Sequence, residues 1–300
     1  MYMKKAKFTM LKQIIFILKT DQSFYIKTII SDIKYLAGKF KENEVKVSYL
    51  LSEDNWGFNP SYIKEAGQLP DTLYLADDAE TLEKMLAAGY YVIAHQHDQN
   101  HRADLQKALY AMSEIRDLDF DSFLKAYQRL AGLPWHILDT KRLTLRETTI
   151  EDVDEFYRIY SDPLITLYIP NLLNINEERI YAAEYIKTIY TFYGYGIWTV
   201  TLRETGEVIG RAGISWREGF SIPELGFVIA QNHQRKGYAE EILRAILELA
   251  LRELELNVIQ ALVRHENIAS MNLLKKLGFV SNGKTYLEEE EYFIFTINLA

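Results

Sequence analysis

Six consecutive residues, Gln234-Arg235-Lys236-Gly237-Tyr238-Ala239, set the tightest limit on what this chain can fold into, because they join a strand-like segment to a helix-like one. Before them, residues 224–230 form a short apolar run after Pro223, the pattern of a buried strand. After them, Ala239, Ile242, Leu243, Ile246, Leu247 and Ala250 recur at the spacing of one helix face. A strand, a glycine-containing turn and a helix start leave unpaired backbone N–H groups pointing outward, where the helix dipole favours negative charge. The ligand this implies is a phosphate or pyrophosphate. The run is neither of the common phosphate loops: it lacks both the G-x-x-x-x-G-K-[ST] pattern and the glycines of G-x-G-x-x-G.

What fits is Q-x-x-G-x-A, and with it the chain resembles the GNAT superfamily of acyl-CoA-dependent N-acetyltransferases. The resemblance implies that Gln234, Arg235, Lys236, Gly237, Tyr238 and Ala239 hold the pyrophosphate of acetyl-CoA. A glycine turn at a helix start is, by itself, usually only a turn. A second run adds weight: Asn267-Ile268-Ala269-Ser270-Met271-Asn272-Leu273-Leu274-Lys275-Lys276-Leu277-Gly278-Phe279 resembles the family signature N-x-x-S-x-x-L-x-x-K-L-G-F. An apolar strand candidate, 258–263, precedes it, and Gly278 stands where a helix C-cap is expected. The resemblance implies that Asn267 hydrogen-bonds the pantetheine arm and that the helix carrying Ser270 flanks the cofactor. An Asn offers both a donor and an acceptor for such amides. Asn267 as a helix N-cap and Ser270 as a first-turn polar residue is an equally physical reading.

The surrounding pattern agrees with the same family. Residues 142–146 alternate like a first strand, with Thr148 or Thr149 capping a helix over 150–160. A second helix is expected over 177–193, then a hairpin of 198–202 and 208–214 around Glu204-Thr205-Gly206. Late strands near 280–284 and 292–299 complete a β-α-α-β-β-β-α-β-α-β order over residues 138–300. The fold class expected is α/β (α+β): a mixed, mostly antiparallel GNAT sheet flanked by helices, preceded by a smaller α/β domain. The nearest likeness is to the ribosomal-protein N-terminal acetyltransferase branch (RimJ/RimL type).

Composition narrows the remainder. With 300 residues, 48% of them hydrophobic, the chain has length for two ordinary domains. It has no cysteine, hence no disulfide, thiolate site or cysteine nucleophile. The early apolar run 14–18 is far shorter than the ~20 residues of a membrane span. Lys4, Lys5 and Lys7 precede it, but Lys12 interrupts any signal-peptide pattern, so a cytoplasmic protein is expected. A net charge of −8 argues against nucleic acid as the main partner and modestly favours cationic substrates such as amines.

Residues 1–133 are expected to form the smaller domain, with strands at 72–76 and 91–95 around a helix started by Asp77-Asp78. Residues 73–95 weakly resemble the last part of a haloacid-dehalogenase-like domain. That chemistry needs a strand-borne Asp with a second Asp two residues on. The candidate run Asp117-Leu118-Asp119-Phe120-Asp121 has no apolar strand before it and reads better as a helix cap, so a non-catalytic remnant is expected. His95 and His97 share a strand parity that suits a metal, but His97-Asp98-Gln99-Asn100-His101 reads as a solvated polar loop, and no metal is expected.

Acetyl transfer needs a deprotonated amine, stabilisation of an oxyanion and departure of a thiolate. The resemblance assigns the oxyanion to backbone N–H groups of Phe227, Val228, Ile229 and Ala230, where the cofactor arm meets a splayed strand edge; such fixed donors are usually the largest catalytic term. Glu224, ten residues before Gln234, is the candidate base, with Glu218 and Glu147 in reserve. An exposed glutamate at a strand start is the competing reading. Many relatives place an acidic tyrosine seven residues after the motif asparagine, where this chain has Leu274; Tyr238 is the nearest other hydroxyl. Tyr193, Tyr195, Trp198 and Trp216 are candidates for the acceptor side, with core packing the commoner fate of any one of them, and Glu288-Glu289-Glu290-Glu291 reads as a solvated edge before the last strand. The activity expected is acetyl-CoA-dependent N-acetylation of a primary amine, a protein N-terminus or a small amine, with homodimerisation left open. A non-catalytic CoA-binding protein is the alternative.

Overall fold

The computed structural model describes residues 11–19, 24–52, 70–100, 104–169, 172–287 and 289–300. Lys4, Lys5, Lys7, His101 and Glu288 lie outside them. The chain divides into two compact units, Met1–Leu133 and Pro134–Ala300. No helix of the described residues is long and apolar enough to cross a membrane.

The first unit contains β1 (Gln13–Lys19), α1 (Phe24–Lys39), β2 (Lys46–Ser52), β3 (Thr72–Ala76), α2 (Ala79–Ala87), β4 (Val92–His95), β5 (Ala111–Met112) and α3 (Phe120–Leu130). Its strands form one sheet in the order β2-β1-β3-β4-β5, every pair parallel. Parallel strands are covered on both faces and read as continuous apolar runs rather than alternations. Accordingly every residue of β3 and β4 is buried, and the short apolar run 14–18 is the interior of β1, paired on both sides. The helix starts follow local chemistry: Asp78 accepts from the Thr81 amide at 2.9 Å, and Asp119 accepts from the Ser122 amide at 2.9 Å. Asp119 is therefore a cap.

The second unit contains β6 (His136–Asp139), β7 (Leu143–Arg146), α4 (Asp152–Tyr160), α5 (Pro163–Thr166), α6 (Ile175–Tyr185), α7 (Thr191–Tyr193), β8 (Ile197–Leu202), β9 (Val208–Ser215), β10 (Glu224–Ile229), α8 (Tyr238–Arg252), β11 (Val258–Arg264), α9 (Ile268–Leu277), β12 (Val280–Leu287) and β13 (Glu290–Asn298). The expected second helix is α6, which widens into a π-helical turn at Ile186–Tyr190 before α7. The start of α4 is set by Asp152 rather than a threonine hydroxyl: its carboxylate accepts from the Thr149 amide at 2.9 Å and pairs bidentately with Arg146. The sheet runs β12-β13-β11-β10-β9-β8-β7-β6, antiparallel throughout except at β10–β11. Strand β6, which sequence periodicity did not reveal, extends one edge. Glu290 and Glu291 fall inside β13, not ahead of it, and are paired: Glu290 with Arg264 at 3.3 Å and Glu291 with Lys284 at 2.9 Å.

The core of this unit joins Trp198, Val200, Ile214 and Leu225 of the sheet to Ile242, Leu243, Ile246 and Ala250 of α8 and to Leu274 of α9. The apolar stripe of α8 is thus the face that closes the sheet. Gly210 and Gly213 of β9 mark close backbone approaches: a Cβ at either would lie 2.0 Å from a neighbouring carbonyl oxygen.

Candidate functional site

Strands β10 and β11 are the one parallel pair of the second sheet, and they hold register at a single position, Glu224 opposite Gln260. Below it they part. Backbone groups of successive residues in a strand point to alternate sides. The Ala230 N–H bonds to the Ile209 carbonyl of the β9 side at 2.8 Å, while the Pro223 carbonyl accepts from Gln260 of β11 at 2.9 Å. Alternation therefore turns the main chain of Leu225, Phe227 and Ile229 toward the opened gap, and that of Val228 toward β9. Of the strand amides expected to face a ligand, Ala230's is already bonded within the sheet.

The gap leads into a cavity of about 600 Å³. Its lining includes Glu224, Phe227 and Val228 from β10, Arg264 from β11, Asn267 and Ser270 from the start of α9, and Phe156, Tyr160 and Arg211 from α4 and β9. Five of the residues singled out from sequence thus share one concave surface: Glu224, Phe227, Val228, Asn267 and Ser270. Ile229 is buried at 5% exposure and does not line it.

The six-residue turn follows β10 directly. Gln234, Arg235, Lys236 and Gly237 are exposed, and Gly237 is the N-cap of α8. Arg235 and Gly237 both take left-handed conformations, φ +60° and +79°, so the chain reverses tightly and brings the first amides of α8 to the surface. Gln234 closes the turn from below, its Nε2 donating to the Ile229 carbonyl at 3.0 Å. A further residue braces it that sequence reading did not assign to the site. Arg142, at the entry of β7, donates from Nη1 to the Lys236 carbonyl at 2.9 Å, pairs with Glu241 at 2.6 Å and stacks over the Tyr238 ring at 4.4 Å. Burial pushes the Glu241 carboxyl up, but hydrogen bonds from Thr140 and Arg142 outweigh it and hold it below the usual range. Only the fold brings residue 142 to the turn at 234–239, so no sequence spacing signals this brace. Tyr238, weighed earlier as a hydroxyl source, is engaged through its ring in the same clamp.

At α9, the Asn267 Oδ1 accepts from the Ser270 amide at 3.1 Å. The capping reading of Asn267 is therefore realised, and its Nδ2 remains as a donor toward the cavity it lines. Gly278 ends the helix at φ +100°, where its own N–H satisfies the Lys275 carbonyl.

Glu224 is 8% exposed and forms a bidentate pair with Arg217, whose second contact is 3.0 Å. The carboxylate in turn raises the guanidinium further above its ordinary value. The exposed strand-start reading of Glu224 does not describe this geometry. Glu147 is 1% exposed, receives the Trp135 amide at 3.0 Å and does not line the cavity; Glu218 is on the surface. Leu274, where a tyrosine acid was sought, is fully buried in the core.

The aromatic candidates divide. Trp198 is 1% exposed and belongs to the core, so it is not an acceptor-side residue: a central strand position of the sheet faces α8. Tyr193, Tyr195 and Trp216 line a separate cavity of about 410 Å³, with the Trp216 indole donating to the Tyr195 hydroxyl at 2.7 Å. Tyr185 reaches both cavities; burial raises its hydroxyl to about 12, although it accepts from the Ile197 amide at 2.8 Å.

In the first unit the expected solvated loop holds at Asp98 and Gln99, which are exposed, and is corrected at His97. The His97 side chain is only 9% exposed, with Nε2 3.4 Å from the Asp77 carboxylate and its ring 4.6 Å from that of Tyr25. Asn100 Nδ2 ties the segment down by donating to the carbonyls of Asp77 and His95 at 2.7 and 2.8 Å. Burial, and then the neighbouring His97, depress His95 to about 3, so it is neutral. Among the described residues no group of three His, Asp or Glu is placed to hold a metal ion.

Residues 142–280 match the Acetyltransferase (GNAT) domain family. The uncharacterized N-acetyltransferase p20 of Bacillus licheniformis is 32% identical over 151 residues, which span 49% of this chain and 83% of that protein. The uncharacterized N-acetyltransferase YoaA of Bacillus subtilis is 32% identical over 153 residues, 49% of this chain and 84% of its own. Among solved structures, an acetyltransferase of Agrobacterium tumefaciens aligns at 24% identity and TM-score 0.48, covering 54% of this chain and 93% of its own. Mycobacterium smegmatis RimJ, solved with CoA-disulfide, aligns at 20% identity and TM-score 0.46, covering 56% of this chain and 88% of its own.

Proposed function

The chain belongs to the GNAT acetyltransferase family through its second unit, and from that premise we propose that it transfers the acetyl group of acetyl-CoA to a primary amine, on a protein N-terminus or a small molecule. It is an acyltransferase with acetyl-CoA as donor. The observation that carries the finer reading is the single-register contact of β10 with β11, which opens a lined cleft along the strand that leads into the exposed turn at the start of α8.

The residues present fit such a donor. The turn at Gln234, Arg235, Lys236, Gly237, Tyr238 and Ala239 offers main-chain donors and a helix dipole to a pyrophosphate. The outward main chain of Phe227 offers an edge to an amide-bearing arm, and Asn267 Nδ2 offers a further donor beside Ser270. Acetyl-CoA supplies an activated acyl carbon with a thiolate leaving group. The acceptor nitrogen attacks that carbon, the C–S bond breaks, sulfur departs with the bonding electrons, and the second proton shed by the nitrogen as the amide forms passes to the thiolate or to solvent. An amide directed from the β10 edge stabilises the charge that develops on the carbonyl oxygen.

Glu224 takes the ammonium proton. Arg217 already occupies both of its oxygens. The proton therefore passes through a water, with Arg217 fixing the carboxylate's orientation. A thiol of pKa near 8.5 leaves without a general acid, which suits a chain with Leu274 in the tyrosine position.

The test is thiol release and product mass with amine and N-terminal peptide panels, for wild type and Glu224→Gln. The variant is expected to lose roughly a hundredfold in kcat with its acetyl-CoA affinity intact. Full turnover by the variant removes Glu224 from the mechanism.

A further inference from the structure

Three arginines line the large cleft, Arg211, Arg217 and Arg264, against two glutamates, Glu178 and Glu224. Two of the three are matched by carboxylates: Arg217 by Glu224, and Arg264 by Glu290 at 3.3 Å. Arg211 has no carboxylate partner among the described residues. Glu178 does not serve it, since its carboxylate receives the Leu173 amide and the residue is 5% exposed. Arg211 is thus the cleft arginine that no carboxylate of the described residues contacts, in a chain whose net charge is −8.

Arg211 is also held as a binding group would be. It stands on β9 opposite Val228 of β10. Its guanidinium lies over two rings of α4, 5.0 Å from Phe156 and 4.9 Å from Tyr160. Nε and Nη2 both donate to the Tyr160 hydroxyl, at 2.9 and 2.7 Å. That hydroxyl accepts from the arginine and keeps its own O–H to donate, while Nη1 keeps donors that none of the described residues takes up. A planar guanidinium fixed on aromatic faces with free N–H groups suits bidentate capture of a carboxylate.

Resting on the amine-acetylation reading above, we propose that the acceptor is an amine bearing a carboxylate, and that Arg211 with Tyr160 binds that anion. Adjacent strands lie about 4.8 Å apart, so the anion site is one strand away from the β10 edge where the nitrogen reacts. Only a short spacer joins the two groups, as in a free amino acid or in an acidic first residue of a peptide. The chain's overall acidity, taken alone, points the other way, toward polycationic amines; the local lining outweighs it because a screened net charge acts over distance while the anion meets one guanidinium directly.

The experiment measures kcat/KM for thiol release by the full chain with acetyl-CoA and paired acceptors. The pairs are free amino acids against their amides, C-terminally amidated peptides beginning with Asp or Glu against those beginning with Asn or Gln, and spermidine as the cationic extreme. Carboxylate members are expected to exceed their neutral partners roughly 10- to 100-fold; the pair showing the larger ratio identifies the source. Arg211→Gln is expected to abolish the ratio through KM, with the neutral acceptors and the acetyl-CoA KM unchanged, and Arg211→Lys to restore part of it. Equal or better use of neutral or cationic amines overturns the proposal. So does an equal loss for all acceptors in Arg211→Gln, the signature of a residue that merely fastens α4 to the sheet. Absence of thiol release with every acceptor overturns the acetyl-transfer reading itself and this inference with it.

Discussion

The two sheets of this protein treat their strand ends in opposite ways. In the first unit the parallel strands stay in register, and the polar residues that follow β3 and β4 bond one another: Asp77 receives the Lys19 amide at 2.8 Å, faces His97, and is capped from above by Asn100. In the second unit one parallel pair separates after a single contact and leaves main-chain donors facing a cavity. The lesson concerns hydrogen-bond satisfaction. A buried polar group is normally partnered; the first sheet's main-chain ladder is closed, with side-chain atoms Thr72 Oγ1, Asp78 Oδ2 and His95 Nδ1 left buried and unbonded, whereas the second sheet, interrupted at its centre, keeps main-chain groups in reserve.

The strongest way to break this contrast is to remove what holds the interrupted sheet together. Trp198→Ala deletes the largest fully buried side chain among the described residues and should destabilise the second unit by about 3–5 kcal/mol. Denaturant unfolding should show that transition moving while the transition of the first unit stays in place. A common shift of both would mean that the two units do not unfold separately.

A smaller effect sharpens the functional half of the comparison. Gly237→Val forces a β-branched residue to φ +79° at the mouth of α8, although a Cβ there has room, its nearest neighbour lying 3.5 Å away. The strain is on the order of 1–3 kcal/mol and falls on the turn, so CoA affinity measured by calorimetry should drop roughly 10- to 100-fold with the fold retained by circular dichroism. Unchanged affinity would remove the turn from the binding site.

The smallest effect probes the first sheet, where His95 Nδ1 is buried and unbonded, through pH. His95 is neutral when folded because its ionisation is depressed to about 3, while the unfolded chain takes up a proton near the ordinary histidine value of about 6.5. The unfolded state therefore binds more protons between these values, and the first unit's stability is full above pH about 6.5 and declines as pH falls. One proton over the interval from pH 6.5 to 5 corresponds to about 2 kcal/mol. Replacing His95 with Leu should flatten that slope in pH-dependent unfolding; an unaltered slope assigns the loss elsewhere.

What could be read early was local. The stripe Ala239, Ile242, Leu243, Ile246, Leu247 and Ala250 places α8 because helical periodicity is written in neighbouring residues, and Gly278 and Asp119 mark helix ends by chemistry acting within one turn. The strand β1 was harder, since the apolar run of a doubly covered strand has no period to distinguish it. His97 was misread because a polar segment looks solvated until the fold sets Tyr25 and Asp77 against it. Trp198 was misassigned for the converse reason: strand parity alone does not say which face of the sheet meets α8.

By itself the sequence determined the helices α2, α8 and α9, the caps at Asp78, Asp119, Asn267 and Gly278, the glycine-pivoted turn at 234–239 and the GNAT pattern of the second half, because each depends on residues within a few positions of one another. Tertiary structure alone decided that β10 and β11 part after Glu224, that Arg142 braces a turn more than ninety residues away through Lys236 and Glu241, and that Arg211 is left without a counter-charge. Those are properties of which atoms meet across strands and helices, and chain spacing does not encode a meeting that only packing brings about.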